Sequence, residues 1–401
     1  MSPVPSSPAL KSHGSFDSMW AELDQVGRHA GTGGYRRFAW TRTDWQLREW
    51  FTGQAQSRGL DVITDRASNL WAWTSDPDTY GPGLVLGSHL DSVPDGGAFD
   101  GPLGVVSAFA ALDSLGPERP SRPIGIACFG DEEGARFGTA CAGSRLLTGV
   151  LDADRARGLR DADGTSMAEA MAATGHDAAA LGRDGEALRR IGTFVELHVE
   201  QGRALVEQDA AVGVAESIWP HGRWRLDLRG RADHAGTTRL ADRDDPMLAL
   251  AAAVQSARSA AEHHDALATI GKLVVVPNGV NAIASSVTAW LDARGPVDAD
   301  VRAVVAQVAA AAGVQPVEES WTPATAFSPG LRDRLAGLLG APVLDTGAGH
   351  DAGILASAGV PSAMLFVRNP TGVSHSPAEH AQTADCHAGV DALARVLREL
   401  A

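Results

Sequence analysis

The chain has 401 residues, beyond the size at which one hydrophobic core usually stops growing, so two domains are expected. Its 44% hydrophobic content is that of a globular protein, and 49 acidic against 34 basic residues leave a formal charge of −15, which disfavours nucleic-acid phosphates and anionic lipid surfaces as partners. Cys128, Cys141 and Cys386 are too few and too scattered for a disulfide framework or a thiolate zinc site, and they read as small buried side chains. No run approaches the roughly twenty apolar residues of a membrane span, so a cytoplasmic protein with a small-molecule partner is expected.

The first fifteen residues, MSPVPSSPALKSHGS, read as a loose tail. Met19, Leu23 and Val26 then recur at helical spacing, and a second helix opens at Thr43-Asp44-Trp45-Gln46 in a capping-box pattern. Leu84–Leu86 is a short apolar strand that runs into a loop crowded with acid groups, GSHLDSVPDGGAFDGPLG, and a helix follows over Gly104–Leu112. Ile124–Phe129 is a second strand ending in Asp131-Glu132-Glu133-Gly134, and Thr193–Leu197 is a third ending in His198-Val199-Glu200-Gln201-Gly202. Three strands thus deliver polar residues at their C-terminal ends, where open α/β sheets place their sites.

Near residue 213 the texture changes. Trp224–Arg229 alternates with period two, Asp245-Pro246 opens an Ala-rich helix to about Glu262, and Val274–Val276 and Val287–Leu291 read as strands before a helix over Ala299–Ala312. Two helices and a small antiparallel sheet make an α+β unit of roughly 110 residues, within domain size, inserted into the first texture. That texture resumes with a helix capped at Ser328-Pro329, a strand over Ala363–Val367, and a closing amphipathic helix from Ala388 to Leu400.

His89, Asp91 and Asp100 share one loop, Glu132 and Glu133 end the next strand, His198 ends another, and His350, Asp351 and His375 lie in a Gly-rich C-terminal region. Any one of these alone is commonly a satisfied or solvated residue; their joint placement on strand ends points to metal. Imidazole and carboxylate ligands without thiolates suit Zn²⁺, Mn²⁺, Ni²⁺ or Co²⁺. Two such ions need a bridging carboxylate and several terminal ligands, and this inventory supplies both. Of two adjacent glutamates, one can bind metal while the other stays free to take a proton from the attacking water.

The stretches GSHLDSVPDGGAFDGPLG, GDEEGARF, ELHVEQG, GRADHAGTT, VPNGVNAI with LDAR, and GAGHDA with SHSPAEH together resemble the amidase/carbamoylase branch of the M20 dinuclear metallohydrolases. That branch contains N-carbamoyl-L-amino acid hydrolases, β-ureidopropionases and allantoate amidohydrolases. The resemblance implies an α/β fold: a dinuclear-metal catalytic domain, a mixed sheet flanked by helices, over residues 17–212 and 323–401. A smaller α+β lid and dimerisation domain over 213–322 would be inserted in it.

By the same resemblance two divalent ions per subunit, zinc or manganese with nickel or cobalt also compatible, would be held by His89 and His198 on one side and Glu133 and His375 on the other. Asp100 would bridge them, Glu132 would be the general base, and Asp91 would hydrogen-bond His89 and fix its tautomer. Gln201 would face the ureido group, His234 would stabilise the oxyanion, and Asn281 and Arg294 would bind the substrate carboxylate, a task suited to the planar guanidinium fork. His221 is a further candidate substrate contact, and His350 and Asp351 are near-site support. Arg203, Arg239-Leu240 and Ala284-Ser285 depart from the branch's usual pattern and bear on substrate shape. The implied activity is metal-dependent hydrolysis of the carbamoyl C–N bond of a small ureido carboxylate by a homodimer. The alternatives are an N-acyl amino acid or dipeptide hydrolase of the same metal family and a non-catalytic small-molecule-binding paralogue.

Overall fold

The computed structural model describes residues 8–118 and 120–401. Residues 8–15 of the expected loose tail begin a helix that runs from Pro8 to Leu23, taking in Met19 and Leu23 but ending before Val26; residues 1–7 of that expectation lie outside the described residues. The helix is docked from His13 on, where the ring meets Asp391 at 3.0 Å and stacks on His387, and Phe16, Met19 and Leu23 are buried beneath it. The second helix, Arg42–Ser57, is capped at Thr41 and not at Thr43. Thr41 Oγ1 accepts from Asp44 N two residues earlier than expected, and the Asp44 carboxylate accepts from the N–H of Trp40, the residue before the cap.

In chain order the first strands are β1 (Asp61–Thr64), β2 (Leu70–Trp73), β3 (Gly83–His89), β4 (Ile124–Phe129), β5 (Ile191–Val199) and β6 (Val212–Ile218). β3 and β4 are buried at every position, as parallel strands covered on both faces must be. The helix Pro102–Asp113, also nearly all apolar, covers them and buries ten of its residues.

β7 (His221–Arg229) begins the smaller unit, which continues with β8 (Asp233–His234), the helix Pro246–His263, β9 (Leu267–Val276), β10 (Ala282–Ile283), β11 (Ser286–Arg294), the helix Asp298–Ala312 and β12 (Val317–Thr322). Its antiparallel sheet has the order β12-β7-β11-β9, with β8 paired to β10 apart from it. Inward residues of β7 and β11 alternate with outward ones and pack Trp224, Leu226, Leu228, Val287, Ala289 and Leu291 against Val301, Val304 and Val308 of the second helix.

The chain returns through β13 (Thr325–Ala326), β14 (Val343–Thr346) and β15 (Ser362–Val367). The larger sheet has the order β1-β2-β4-β3-β5-β15-β6-β13, with β14 on β6. It is mixed: β3 runs parallel to β4 and β5, β15 parallel to β5, and β15 antiparallel to β6. The two compact units are Met1–Glu216 with Ala326–Ala401, and Ser217–Thr325. A boundary at 213 would cut β6 where Val212, Gly213 and Val214 pair with β15, which is why the larger unit keeps those residues. All three cysteines are buried and unpaired. Among the described residues no helix is long and apolar enough to cross a membrane.

Candidate metal centre

The C-terminal ends of β3, β4 and β5 and the loop after β15 carry His89, Glu132 with Glu133, His198 and His375. Asp100 comes from the loop after β3. Two groups of ligand atoms result, His89–Asp100–His198 and Asp100–Glu133–His375, each with its atoms within 4.8 Å of one another. Asp100 belongs to both. Its Oδ1 lies 3.4 Å from His89 Nε2 and 3.2 Å from His198 Nε2, and its Oδ2 lies 3.5 Å from His375 Nε2, which is itself 3.5 Å from Glu133 Oε2.

Hydrogen bonds at the far side of each ring settle the tautomers. His89 Nδ1 lies 3.1 Å from the Asp91 carbonyl oxygen and His198 Nδ1 lies 2.9 Å from that of Val199. A carbonyl only accepts, so Nδ1 carries a proton in each ring, which leaves Nε2 as the atom that offers a lone pair to a cation once its own proton is displaced. Both Nε2 atoms are buried without a hydrogen-bond partner, as is Glu133 Oε1. Lone pairs facing a carboxylate in a buried site are costly unless a cation lies between them. The donor set therefore fits divalent cations, with imidazole and carboxylate ligands of the kind zinc and manganese accept.

Burial opposes charge on His89 and His198, yet the surrounding carboxylates outweigh it. Glu132, Asp100 and Asp91 hold His89 well above the usual imidazole range, and Asp100 with Glu196 lifts His198 to about 9. Asp100 is held well below the usual carboxylate range by these imidazoles despite its burial. Burial first, then the neighbouring acids, pushes Glu132 up to about 7 and Glu133 well above its usual value.

The Asp91 carboxylate does something the sequence did not suggest. The closer contact to His89 comes from its backbone carbonyl, with Oδ1 3.5 Å from the ring nitrogen. The carboxylate instead accepts the backbone N–H groups of Glu132 and Glu133 at 3.1 and 3.0 Å, so it aims both glutamates at once. Three residues near the centre, Asp131, Cys141 and His375, have positive φ, a conformation that persists in non-glycine residues only where surroundings impose it.

The profile of peptidase family M20/M25/M40 matches residues 85–399. The chain belongs to that family. Along 95% of its length it is 34% identical to the N-carbamoyl-L-amino acid amidohydrolase of Geobacillus stearothermophilus, covering 96% of that protein. It is 30% identical to the allantoate amidohydrolase of Escherichia coli, with 92% and 93% of the two chains covered. A solved amidase of the hydantoinase/carbamoylase family from Burkholderia vietnamiensis superposes with a TM-score of 0.87 at 29% identity over 97% of each chain. The M20 family is metal-dependent, and this chain is a hydrolase whose named relatives act on carbon–nitrogen bonds other than peptide bonds.

The remaining predicted residues of this M20 chain fall into three places. Gln201 joins the centre: its amide N–H group donates to Asp100 Oδ2 at 2.9 Å and to Ser374 Oγ at 3.2 Å. His350 and Asp351 are buried beside it, His350 edge-on to the His198 ring at 4.4 Å. In the smaller unit, His234 pairs with Ala282 and the Asn281 carbonyl accepts from Ala235 N, so His234 and Asn281 are neighbours. His221 and Arg294 pair at the other end of β11, where the Arg294 guanidinium donates to Asp292 at 2.6 and 2.8 Å.

Sequence reasoning missed Glu379, Glu196 and Cys141. Glu379 accepts from Phe99 N, Asp100 N and Ser374 Oγ. Glu196, inside β5, accepts from Ser88 Oγ and Ala352 N. The thiol of Cys141 donates to Glu132 Oε1 at 3.1 Å. A signal was present only for Glu379, four residues beyond His375 in SHSPAEH.

Proposed function

We propose that this M20 hydrolase cleaves the terminal carbamoyl C–N bond of a small ureido carboxylate, such as an N-carbamoyl-L-amino acid or allantoate, releasing ammonia and carbon dioxide. The observation that carries the reading is the pair of ligand groups sharing Asp100, with Glu132 beside them and its Oε2 3.7 Å from His89 Nε2. His89 and His198 would hold one cation, Glu133 and His375 the other, and Asp100 both. When bound, the cations supply Lewis-acid polarisation of the ureido carbonyl and of the attacking water.

Glu132 takes a proton from that water and returns it to the leaving nitrogen, as one carboxylate can when it is held next to the reacting atoms without being a ligand itself. Asp91 fixes Glu132 and Glu133 through their backbone N–H groups. Gln201 faces the ureido nitrogen, His234 donates to the oxyanion, and Asn281 and Arg294 bind the carboxylate, with His221 beside Arg294.

These last assignments favour a homodimer. Arg294 ends the nine-residue β11 and Asn281 precedes β10, ahead of the strand's other end; the strand spans about 26 Å, far more than a small ureido acid, so on this reading one copy of the unit does not bring both to one carboxylate. The edge strand β9 leaves Leu267, Leu273, Val274 and Val276 about half exposed, and an exposed apolar edge is a template for pairing with another strand. A Val274→Asp variant is expected to run as a monomer in light scattering and to lose turnover; a wild-type monomer with full activity would remove the dimer from this reading.

The reaction is tested by ammonia release from the manganese-loaded protein across N-carbamoyl-L-amino acids, N-carbamoyl-β-alanine, allantoate, and N-acetyl and dipeptide controls. Release from a ureido acid is expected. Hydrolysis of only the acetyl or dipeptide controls would overturn the substrate class while leaving the metal centre standing.

A further inference from the structure

The geometry points to a third cation pocket, formed by Glu132, Cys141 and Asp351 beside the two that share Asp100, which takes a thiophilic divalent cation such as zinc or cadmium and immobilises Glu132. The ligand atoms of these three buried residues lie within 4.8 Å of one another. Tetrahedral zinc with bonds of about 2.0–2.3 Å holds its ligands roughly 3.5 Å apart, so small side-chain adjustments close the set. Glu132 Oε1 is already 3.1 Å from Cys141 Sγ.

The thiol does not stand alone. Asp351 is fully buried and its Oδ2 has no hydrogen-bond partner, while its Oδ1 is held by Ser144 Oγ at 2.5 Å. That free oxygen is a second feature asking for a cation, and Ser144 keeps it in place. The frame is rigid on the other side too. Cys141 N donates to the Glu132 carbonyl, Ala142 N to that of Asp131 and Gly143 N to that of Gly130, so the turn carrying the thiol is zipped to the turn carrying the base.

Chemistry separates this pocket from its neighbours. Among the described residues it is the one ligand group that includes sulfur, so manganese and magnesium have no preference for it, whereas zinc and cadmium do. Binding forms a bond from Cys141 Sγ to the cation and releases the thiol proton to solvent. Once the pocket is filled, Glu132 is a ligand and no longer accepts a proton from water. This loss of turnover rests on the role proposed for Glu132; the existence of the pocket does not.

The test strips metal from the full-length protein and titrates it with cadmium alone, reading the ultraviolet sulfur-to-cadmium charge-transfer band and the bound equivalents. Three equivalents with one sulfur band are expected, and two without a band in Cys141→Ser. A Cys128→Ser/Cys386→Ser double variant, which keeps Cys141 as its one thiol, is expected to retain the band and decides the matter if Cys141→Ser fails to fold. A band in Cys141→Ser, or none in the double variant, overturns the pocket. In a second arm, turnover of the manganese-loaded double variant on a ureido acid should fall in step with the band as cadmium is added. Full turnover at full band overturns the effect on Glu132. Absence of any ureido turnover, with the band intact, would instead count against the proposed reaction.

Discussion

Glu379 accepts the backbone N–H of Asp100 at 3.0 Å from 279 residues away in sequence, and that of Phe99 at 2.9 Å. Its other oxygen accepts from Ser374 at 3.1 Å, and Ser374 also reaches Asp100 Oδ2. One carboxylate therefore ties the loop that carries Asp100 to the loop that carries His375. Glu379→Ala leaves two backbone donors unpaired, at a cost of roughly 2–4 kcal/mol, and is expected to weaken cation binding at the groups that share Asp100 about 10- to 100-fold. Glu379→Gln keeps one acceptor oxygen and should recover much of the affinity. Calorimetric titration with zinc checks both; equal affinities in Glu379→Ala and wild type would remove the positioning role.

Glu132→Gln keeps the size of the side chain and removes the proton acceptor. If Glu132 is the base proposed above, turnover should drop by about 10²- to 10⁴-fold with cation binding and KM little changed, because neither ligand group that shares Asp100 contains Glu132. Steady-state kinetics beside metal analysis separates this from a folding defect. Turnover near the wild-type level would exclude Glu132 as the base.

Most of this centre was legible because parallel strands buried on both faces leave plain apolar runs, such as Leu84–Leu86 and Ile124–Phe129, and the polar residues that interrupt them stand out. Glu196 did not stand out, because it lies inside the run Phe194–Leu197 and answers partners, Ser88 and Ala352, that pairing and packing bring to it. The stretch holding Cys141 and Ser144 folds into helices of six or seven residues, Ala142–Thr148, Ala153–Gly158 and Met167–Ala173. Elements that short show too few turns for a periodic signal. The first half of the N-terminal helix was hidden for a different reason: it is held by docking on the closing helix Thr383–Leu400 through His13, Asp17 and Phe16, not by local propensity.

Removing metal should reverse the pH response of stability. Glu132, raised from 4.5 to about 7 when folded, and His198, raised from 6.5 to about 9, both bind protons more tightly in the folded metal-free protein than in the unfolded chain. Stability from each is therefore present below its unfolded pKa and lost as pH rises through the folded one. For the stripped protein the melting temperature should fall between pH 4.5 and 9, first through Glu132 and then through His198. A cation takes the place of the His198 proton and its charge expels that of the neighbouring Glu132, so the loaded protein should gain stability over the same interval as metal competes better with protons. Thermal melts of both forms at matched pH check the opposite slopes; parallel curves would mean that the centre contributes little to stability.

Gly101 backs the His89 ring. It has φ +84°, and a Cβ there would lie 2.4 Å from the ring's Cε1 and 2.5 Å from Nδ1. Gly101→Ala thus meets two separate penalties, a backbone at φ +84°, ψ −62° that is strained for any residue with a Cβ and a clash relieved only if the imidazole moves. Gly116 is a control for positive φ alone, with φ +57° and nothing within 4 Å of its added Cβ. Gly116→Ala is expected to cost the backbone penalty alone and to leave zinc binding untouched. Gly101→Ala should lower the melting temperature further and selectively weaken cation binding at the His89–Asp100–His198 group, because a displaced Nε2 no longer points into it. Equal losses in the two variants would mean that the ring tolerates displacement and that Gly101 serves the turn rather than the metal.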